Sequence, residues 1–179
     1  MSVSIALDAS SSAGLSPILL LITGGTLDKE YDPIRGELGF PSSALPDLLN
    51  EARSTLPIEH KVLMQKDSLH MTDQDRQQIE QACLKARQNH IVITHGTDTM
   101  VETAQVLQNC DGLKGKKIVL VGAMRPYRLG GSDAAFNVGA AFMAVQLAAP
   151  GVYLCMNGRL FHAGSVRKNR QLGVFEALE

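Results

Sequence analysis

Neither sign of charge dominates this chain of 179 residues: 17 Lys and Arg stand against 18 Asp and Glu, a net charge of −1. That balance removes the electrostatic footprint needed to hold nucleic acid or an anionic membrane surface. The densest basic stretch, RKNR at 167–170, is too short to form a patch. Long apolar runs are missing too, and none reaches the roughly 18–20 residues of a membrane span. The opening segment, MSVSIALDASSSAGLSP, has no basic start and carries Asp8, so it reads poorly as a secretory leader. Cysteine is scarce. Cys83, Cys110 and Cys155 lie far apart, outside any CxxC or Cys/His spacing, and read as buried thiols of a reducing compartment. The five histidines fall at no metal-ligand spacing. The expectation is a cytoplasmic protein with no metal, no cofactor, no nucleic-acid partner and no membrane contact.

Three familiar motifs are also absent. Without GxGxxG, dinucleotide binding has no support, and without GxxxxGK[ST] neither does a phosphate-cradling loop. No GxSxG elbow offers a serine nucleophile. There is no internal repeat, and the only biased stretch is the Ser/Ala/Gly run before residue 17. Residues 1–16 therefore read as a flexible arm.

What remains is regular. PILLLIT at 17–23 is a continuous apolar run closed by two glycines, the pattern of a strand buried on both faces. Further strands are expected at 58–65, 90–94, 116–123 and 151–158, with RLFHAG returning as a hairpin. Helices are expected at 43–54, 72–88, 98–109 and 132–148. The helix at 72–88 opens with a Thr cap and an acidic first turn, and Ile79, Ala82, Cys83 and Ala86 then recur at helical spacing. Strands alternate with helices and show no polar face. The pattern predicts one α/β domain over 17–179, a mostly parallel sheet with helices on both faces, Rossmann-like or flavodoxin-like.

In such sheets ligands bind beyond the carboxyl ends of the strands. The residues found there are Thr23, Gly24, Gly25, Thr26 and Tyr31 after the first strand. Lys66, Asp67 and Ser68 follow the second, and His95, Gly96, Thr97, Asp98 and Thr99 the third. Ala123, Met124, Arg125 and Pro126 follow the fourth. Hydroxyls dominate. A hydroxyl nucleophile needs a base or hydrogen-bonding partner, and donors for an oxyanion. Thr26, straight after two glycines that let backbone approach a ligand, is well placed for attack. Taken alone, TGGT also fits a plain tight turn, and Thr97 with Asp98 also fits a helix cap.

The pieces in order carry more. TGGTLDKEY at 23–31, KDSLHMTD at 66–73, ITHGTDTMVETA at 93–104, VGAMRP at 121–126 and SDAAFN at 132–137 resemble the bacterial-type L-asparaginase family. VRKNRQLGVFEAL at 166–178 is similar to the segment closing that family's catalytic domain. The resemblance implies that Thr26 is the nucleophile and Tyr31 sits on a mobile loop covering the site. It implies that Ser68 binds the substrate α-carboxylate, and that Asp98 contacts its α-ammonium. Thr97, Asp98 and Lys168 would form a second catalytic cluster, with Lys168 hydrogen-bonding Thr97. Lys168, if partly desolvated, could accept a proton through that threonine. Gly25, Leu69, Gly96 and Ala123 would line the substrate. The implied reaction is hydrolysis of L-asparagine through a threonine acyl-enzyme, in a homodimer or homotetramer.

The chain departs from the longer members in two ways. It stops where their smaller C-terminal domain begins, and so resembles short-form members. Leu69 stands where many carry a Gln beside the carboxylate-binding Ser. Leu cannot hydrogen-bond, which implies weaker turnover of glutamine than of asparagine. Two alternatives are a related amidase, such as a component of a tRNA-dependent amidotransferase, and a non-catalytic amino-acid sensor on the same fold.

Overall fold

The computed structural model describes residues 14–178. Most of the expected N-terminal arm thus lies outside the described residues. Strand β1 (Ile18–Gly24) is buried along its whole length. Its odd and even side chains enter opposite cores, as the two-residue period of a strand requires. Leu19 and Leu21 join one cluster with Ile91, Ile93, Ile118 and Leu120. Ile18, Leu20 and Ile22 join the other with Val92, Val119 and Val121.

The main sheet has six strands. β4 (Ile58–Lys66) lies at one edge, followed by β1, β5 (His90–Thr94), β6 (Lys117–Val121), β7 (Gly151–Met156) and β8 (Arg159–His162). The first five are parallel, and β8 returns antiparallel on β7, with Tyr153 opposite His162. The first five strands are thus ordered 2-1-3-4-5, with the direction of winding reversing beside β1, which is the flavodoxin-like arrangement. Helices α2 (Asp73–Lys85) and α3 (Met100–Gln108) supply Ile79, Cys83, Met100, Ala104 and Leu107 to one core. Helices α1 (Leu45–Glu51) and α4 (Ala134–Leu147) cover the other face with Leu45, Leu48, Val138, Phe142 and Val145. The start of α2 is fixed as its sequence suggests. Thr72 accepts from the Asp75 N–H while the Asp75 carboxylate accepts from the Thr72 N–H, a full capping box.

Three features differ from the expectation. The segment carrying Tyr31 is a small antiparallel hairpin, β2 (Glu30–Asp32) with β3 (Glu37–Gly39). A second hairpin, β9 (Val166–Asn169) with β10 (Val174–Ala177), closes the described chain. And β4 is open to solvent on both faces along its first half: Glu59 and Lys61 are exposed on one face and His60 and Val62 on the other, and β4 pairs only with β1. Charged side chains on a free edge discourage edge-to-edge pairing with other sheets. Among the described residues no helix is long and apolar enough to cross a membrane.

Candidate active site

The winding reversal brings the carboxyl ends of β1, β4 and β5 together, and glycine sets how closely they meet. Thr23 Oγ1 donates to the Thr94 carbonyl at 2.7 Å, tying the ends of β1 and β5. Gly24 and Gly25 follow with φ of 92° and 82°, left-handed values that glycine adopts without strain. A Cβ on Gly25 would lie 2.4 Å from the Gly96 nitrogen, and one on Gly96 would lie 2.5 Å from Ser68 Oγ. The first two loops therefore touch backbone to backbone, and the Ser68 side chain packs directly on Gly96 from the third. Thr26, half-buried, opens the short turn Thr26–Asp28 beside this stack. Ser68 is 1% exposed, and its hydroxyl has no partner among the described residues. A buried hydroxyl left unpaired loses free energy unless something completes it.

The polar run 97–99 does not cap α3. Thr99 occupies the cap position but makes no side-chain cap bond, and its hydroxyl donates to the Ser68 carbonyl at 2.8 Å. Thr97 and Asp98 are both turned toward Lys168. The Lys168 ammonium donates to Thr97 Oγ1 and to Asp98 Oδ1, each at 2.8 Å. Lys168 comes from β9, 71 positions later than Thr97, and its side chain is 10% exposed. Arg170 adds a bond from Nη2 to the Asp98 carbonyl at 3.3 Å. Because Lys168 fills an acceptor site on Thr97, the threonine hydroxyl keeps its own proton available for another oxygen.

His95 holds this turn from beneath. It is fully buried, with Nδ1 2.7 Å from the Gly96 carbonyl and Nε2 2.8 Å from Thr103 Oγ1. A carbonyl only accepts, so Nδ1 carries the proton and Nε2 accepts from Thr103. Burial pushes the pKa of His95 down to about 4, against the opposing pull of the Gly96 carbonyl, with Arg76 adding to the fall. Asp28 plays a similar part behind Thr26. It is buried, and its Oδ1 accepts from Ser43 Oγ and the Ala44 N–H, each at 2.9 Å. Burial raises its pKa against those bonds. Beyond β6, the Asp133 carboxylate accepts from the Met124 and Arg125 N–H groups, and Asn137 Nδ2 donates to the Gly122 carbonyl. These bonds fix the turn that follows buried Ala123.

Of the residues singled out from sequence, Gly25, Ser68, Gly96, Thr97, Asp98 and Lys168 meet, and Thr26 adjoins them. Ala123 lies on the neighbouring loop. Tyr31 is set apart on its hairpin and is 52% exposed, with no hydrogen bond to Thr26, Thr97 or Lys168 among the described residues. Leu69 turns its side chain outward, 59% exposed, while its N–H donates to Asp67 Oδ1. His95, Asp28, Asp133 and Asn137 are not evident from sequence as supports of the site. Asp133 stands at the N-cap position of α4, yet its side chain makes no cap bond to that helix. Among the described residues no group of three or more His, Cys, Asp or Glu is arranged to hold a metal ion.

Residues 17–177 match the family model for the asparaginase N-terminal domain. The chain belongs to the asparaginase family. It is similar to one component of the glutamyl-tRNA(Gln) amidotransferase of Methanococcus vannielii, 33% identical over 164 residues, 86% of this chain and 37% of that protein. It is 31% identical over 170 residues to the glutaminase-asparaginase of Acinetobacter glutaminasificans, 84% of this chain and 49% of that one. Among solved structures, the probable cytoplasmic L-asparaginase from Campylobacter jejuni superimposes with a TM-score of 0.79 at 30% identity, over 90% of this chain and 53% of its own. The chain thus spans about half, or less, of the length of these asparaginase-family relatives.

Two measurements test how this asparaginase-family site is built. Gly25→Ala meets both left-handed strain and a backbone clash, whereas Gly130→Ala, at φ 68° with open space around it, meets only the strain. The expected losses in urea denaturation are at least about 2 kcal/mol for Gly25 and about 1 kcal/mol for Gly130. Equal losses would mean that the Gly25–Gly96 approach is not tight. For His95, the folded pKa lies below the unfolded value of about 6.5, so the folded chain binds fewer protons. Its stabilisation is complete above about pH 6.5 and is lost as pH falls toward about 4, by up to about 3 kcal/mol. His95→Gln should flatten the urea midpoint between pH 7 and pH 4.5, at a cost in stability at pH 7. An unchanged acid limb would place that titration elsewhere.

Proposed function

We propose that this chain hydrolyses the side-chain amide of L-asparagine to L-aspartate and ammonia. The observation that carries the reading is Lys168 bridging Thr97 and Asp98 beside the Gly25–Gly96 stack. It sets a hydroxyl–ammonium–carboxylate group next to the turn that presents Thr26. In the proposed reaction Thr26 Oγ attacks the amide carbon and gives up its proton. The carbon–nitrogen bond breaks, and the nitrogen leaves as ammonia after taking a proton. Water then attacks the resulting ester, releasing aspartate and restoring the Thr26 hydroxyl. Backbone N–H groups near Thr97 stabilise the oxyanion of each step, and Thr97 passes protons while Lys168 and Asp98 orient it. Ser68 contributes its unpaired hydroxyl to the substrate α-carboxylate, and Asp98 its carboxylate to the α-ammonium. Gly25, Gly96 and Ala123 form the walls, and Tyr31 belongs to the covering hairpin. The setting is a cytoplasmic homo-oligomer.

A second reading follows from the similarity to a protein named as part of an amidotransferase. There the ammonia would pass to another acceptor rather than to solution. The asparagine preference rests on residue type at position 69: Leu there, whose exposed side chain has no hydrogen-bonding group, offers a longer glutamine no extra polar contact.

A coupled ammonia assay tests both. Release from asparagine is expected, and Thr26→Ala and Lys168→Met should each lower kcat about a thousandfold or more. Aspartate binding without turnover would instead indicate a sensor. The kcat/KM for asparagine should exceed that for glutamine by at least about tenfold. Comparable values would remove the role given to Leu69.

A further inference from the structure

The two residues before Tyr31 are held from opposite sides. Lys29 Nζ lies 2.5 Å from Asp67 Oδ2, on the loop that leads into Ser68. Partial burial alone would raise the Asp67 pKa, but the Lys29 ammonium and the Leu69 N–H outweigh it and hold the carboxyl below its ordinary value. Glu30, directly before Tyr31, meets Arg128. The Arg128 guanidinium forks: Nε lies 3.1 Å from Glu30 Oε2, and Nη2 lies 3.0 Å from Asp47 Oδ2 on α1. Arg128 belongs to the short turn Tyr127–Leu129, which is itself docked on α1 by a hydrogen bond from the Tyr127 hydroxyl to the Glu51 carboxylate. One side chain therefore joins the Tyr31 hairpin to the body of the domain.

We propose that Arg128 is the positioning residue for Tyr31, clasping Glu30 to Asp47 so that the hairpin keeps one setting beside the Thr26 turn. The catalytic half of this inference rests on the amidohydrolase reading, and the structural half does not. The charge pattern explains why the guanidinium is needed. Glu30 and Asp47 point into the same gap, so without Arg128 they repel each other and push the hairpin outward. A forked, planar cation can meet two carboxylates at once, whereas a lysine offers one point charge. Arg128 is 31% exposed and walls a surface cleft of about 680 Å³, so dissolved ions reach and screen it. The clasp is thus strong enough to bias the hairpin and weak enough to release it.

The test reads the hairpin directly. Arg35, at the hairpin tip, has a side chain 74% exposed. Trypsin cleavage after Arg35, followed by mass spectrometry on the full chain, should accelerate at least about fivefold in Arg128→Gln. Arg128→Lys should fall between that variant and the wild type. Glu30→Gln placed in the Arg128→Gln background should restore part of the protection, because it removes the repulsion. Addition of about 0.5 M KCl should speed cleavage in the wild type more than in Arg128→Gln. With asparagine, Arg128→Gln should lower kcat about tenfold and leave KM within about threefold, since Ser68 and Asp98 sit on loops that Arg128 does not touch. Unchanged cleavage after Arg35 would overturn the clasp. Faster cleavage with kcat intact would overturn the link to Tyr31. If the wild type released no ammonia from any amide, the amidohydrolase reading would fall, and the cleavage rates would still decide the clasp.

Discussion

The backbone of Gly25 resting on the backbone of Gly96 is the contact on which the site depends. It is made of main-chain atoms only, so no rotamer can loosen it and no larger residue fits. It occurs where the winding of the sheet reverses, the one place where the ends of β1 and β5 are adjacent without a helix between them. A strand buried on both faces cannot shift without moving Leu19 and Leu21 out of one core and Leu20 and Ile22 out of the other. The register of β1 against β5 thereby sets the distance between the Thr26 turn and the Thr97 turn. Hydrophobic packing some way below the surface fixes the separation of two hydroxyl-bearing loops.

Around that contact the polar groups divide into two kinds. His95, Asp28, Asp133 and Asn137 direct their hydrogen bonds inward, mainly to carbonyls and N–H groups of the loops themselves. They hold backbone that could not otherwise leave a strand so abruptly with its polar groups satisfied. Ser68, Thr97, Asp98 and Lys168, largely buried, gather their polar atoms at the strand ends instead. The Ser68 hydroxyl has no partner at all among the described residues. Loop backbone held in this way keeps the side chains at the strand ends in fixed positions, as the proposed chemistry requires. The hairpin with Tyr31 is the exception, being held by solvent-accessible ion pairs rather than by packing.

The parallel sheet was legible because its central strands are apolar on both faces, a pattern that excludes an amphipathic helix and a half-exposed strand alike. The Thr72 cap of α2 was legible too, from a Thr followed by an acidic first turn. The two hairpins were not. Their strands are three or four residues long, each carries at least one charged residue, and they show too little periodicity to separate from loop. The exposed edge of β4 was also missed, since Ile58, Val62 and Leu63 look apolar in sequence and only the pairing shows which neighbour is absent. In the site, the glycines and hydroxyls could be located from the strand ends alone. The meeting of Lys168 with Thr97 could not, because no spacing rule joins positions 71 apart, and only family resemblance suggested it. His95 and Asp28 were invisible as supports because burial, rather than residue type, gives them that part.

The distance between Thr97 and Lys168 along the chain has a temporal side. The sheet is complete once β8 has been synthesised, and both hydroxyl turns are then in place on a packed core. The lysine arrives only with the hairpin that follows. During synthesis from the amino end, there is an interval in which the scaffold is whole and the ammonium that ties Thr97 to Asp98 has not yet emerged. Completion of the sheet and completion of the Thr97–Lys168–Asp98 cluster are separate events in the order of synthesis, and the second waits on a short stretch of chain that adds Val166 and Phe175 to the core.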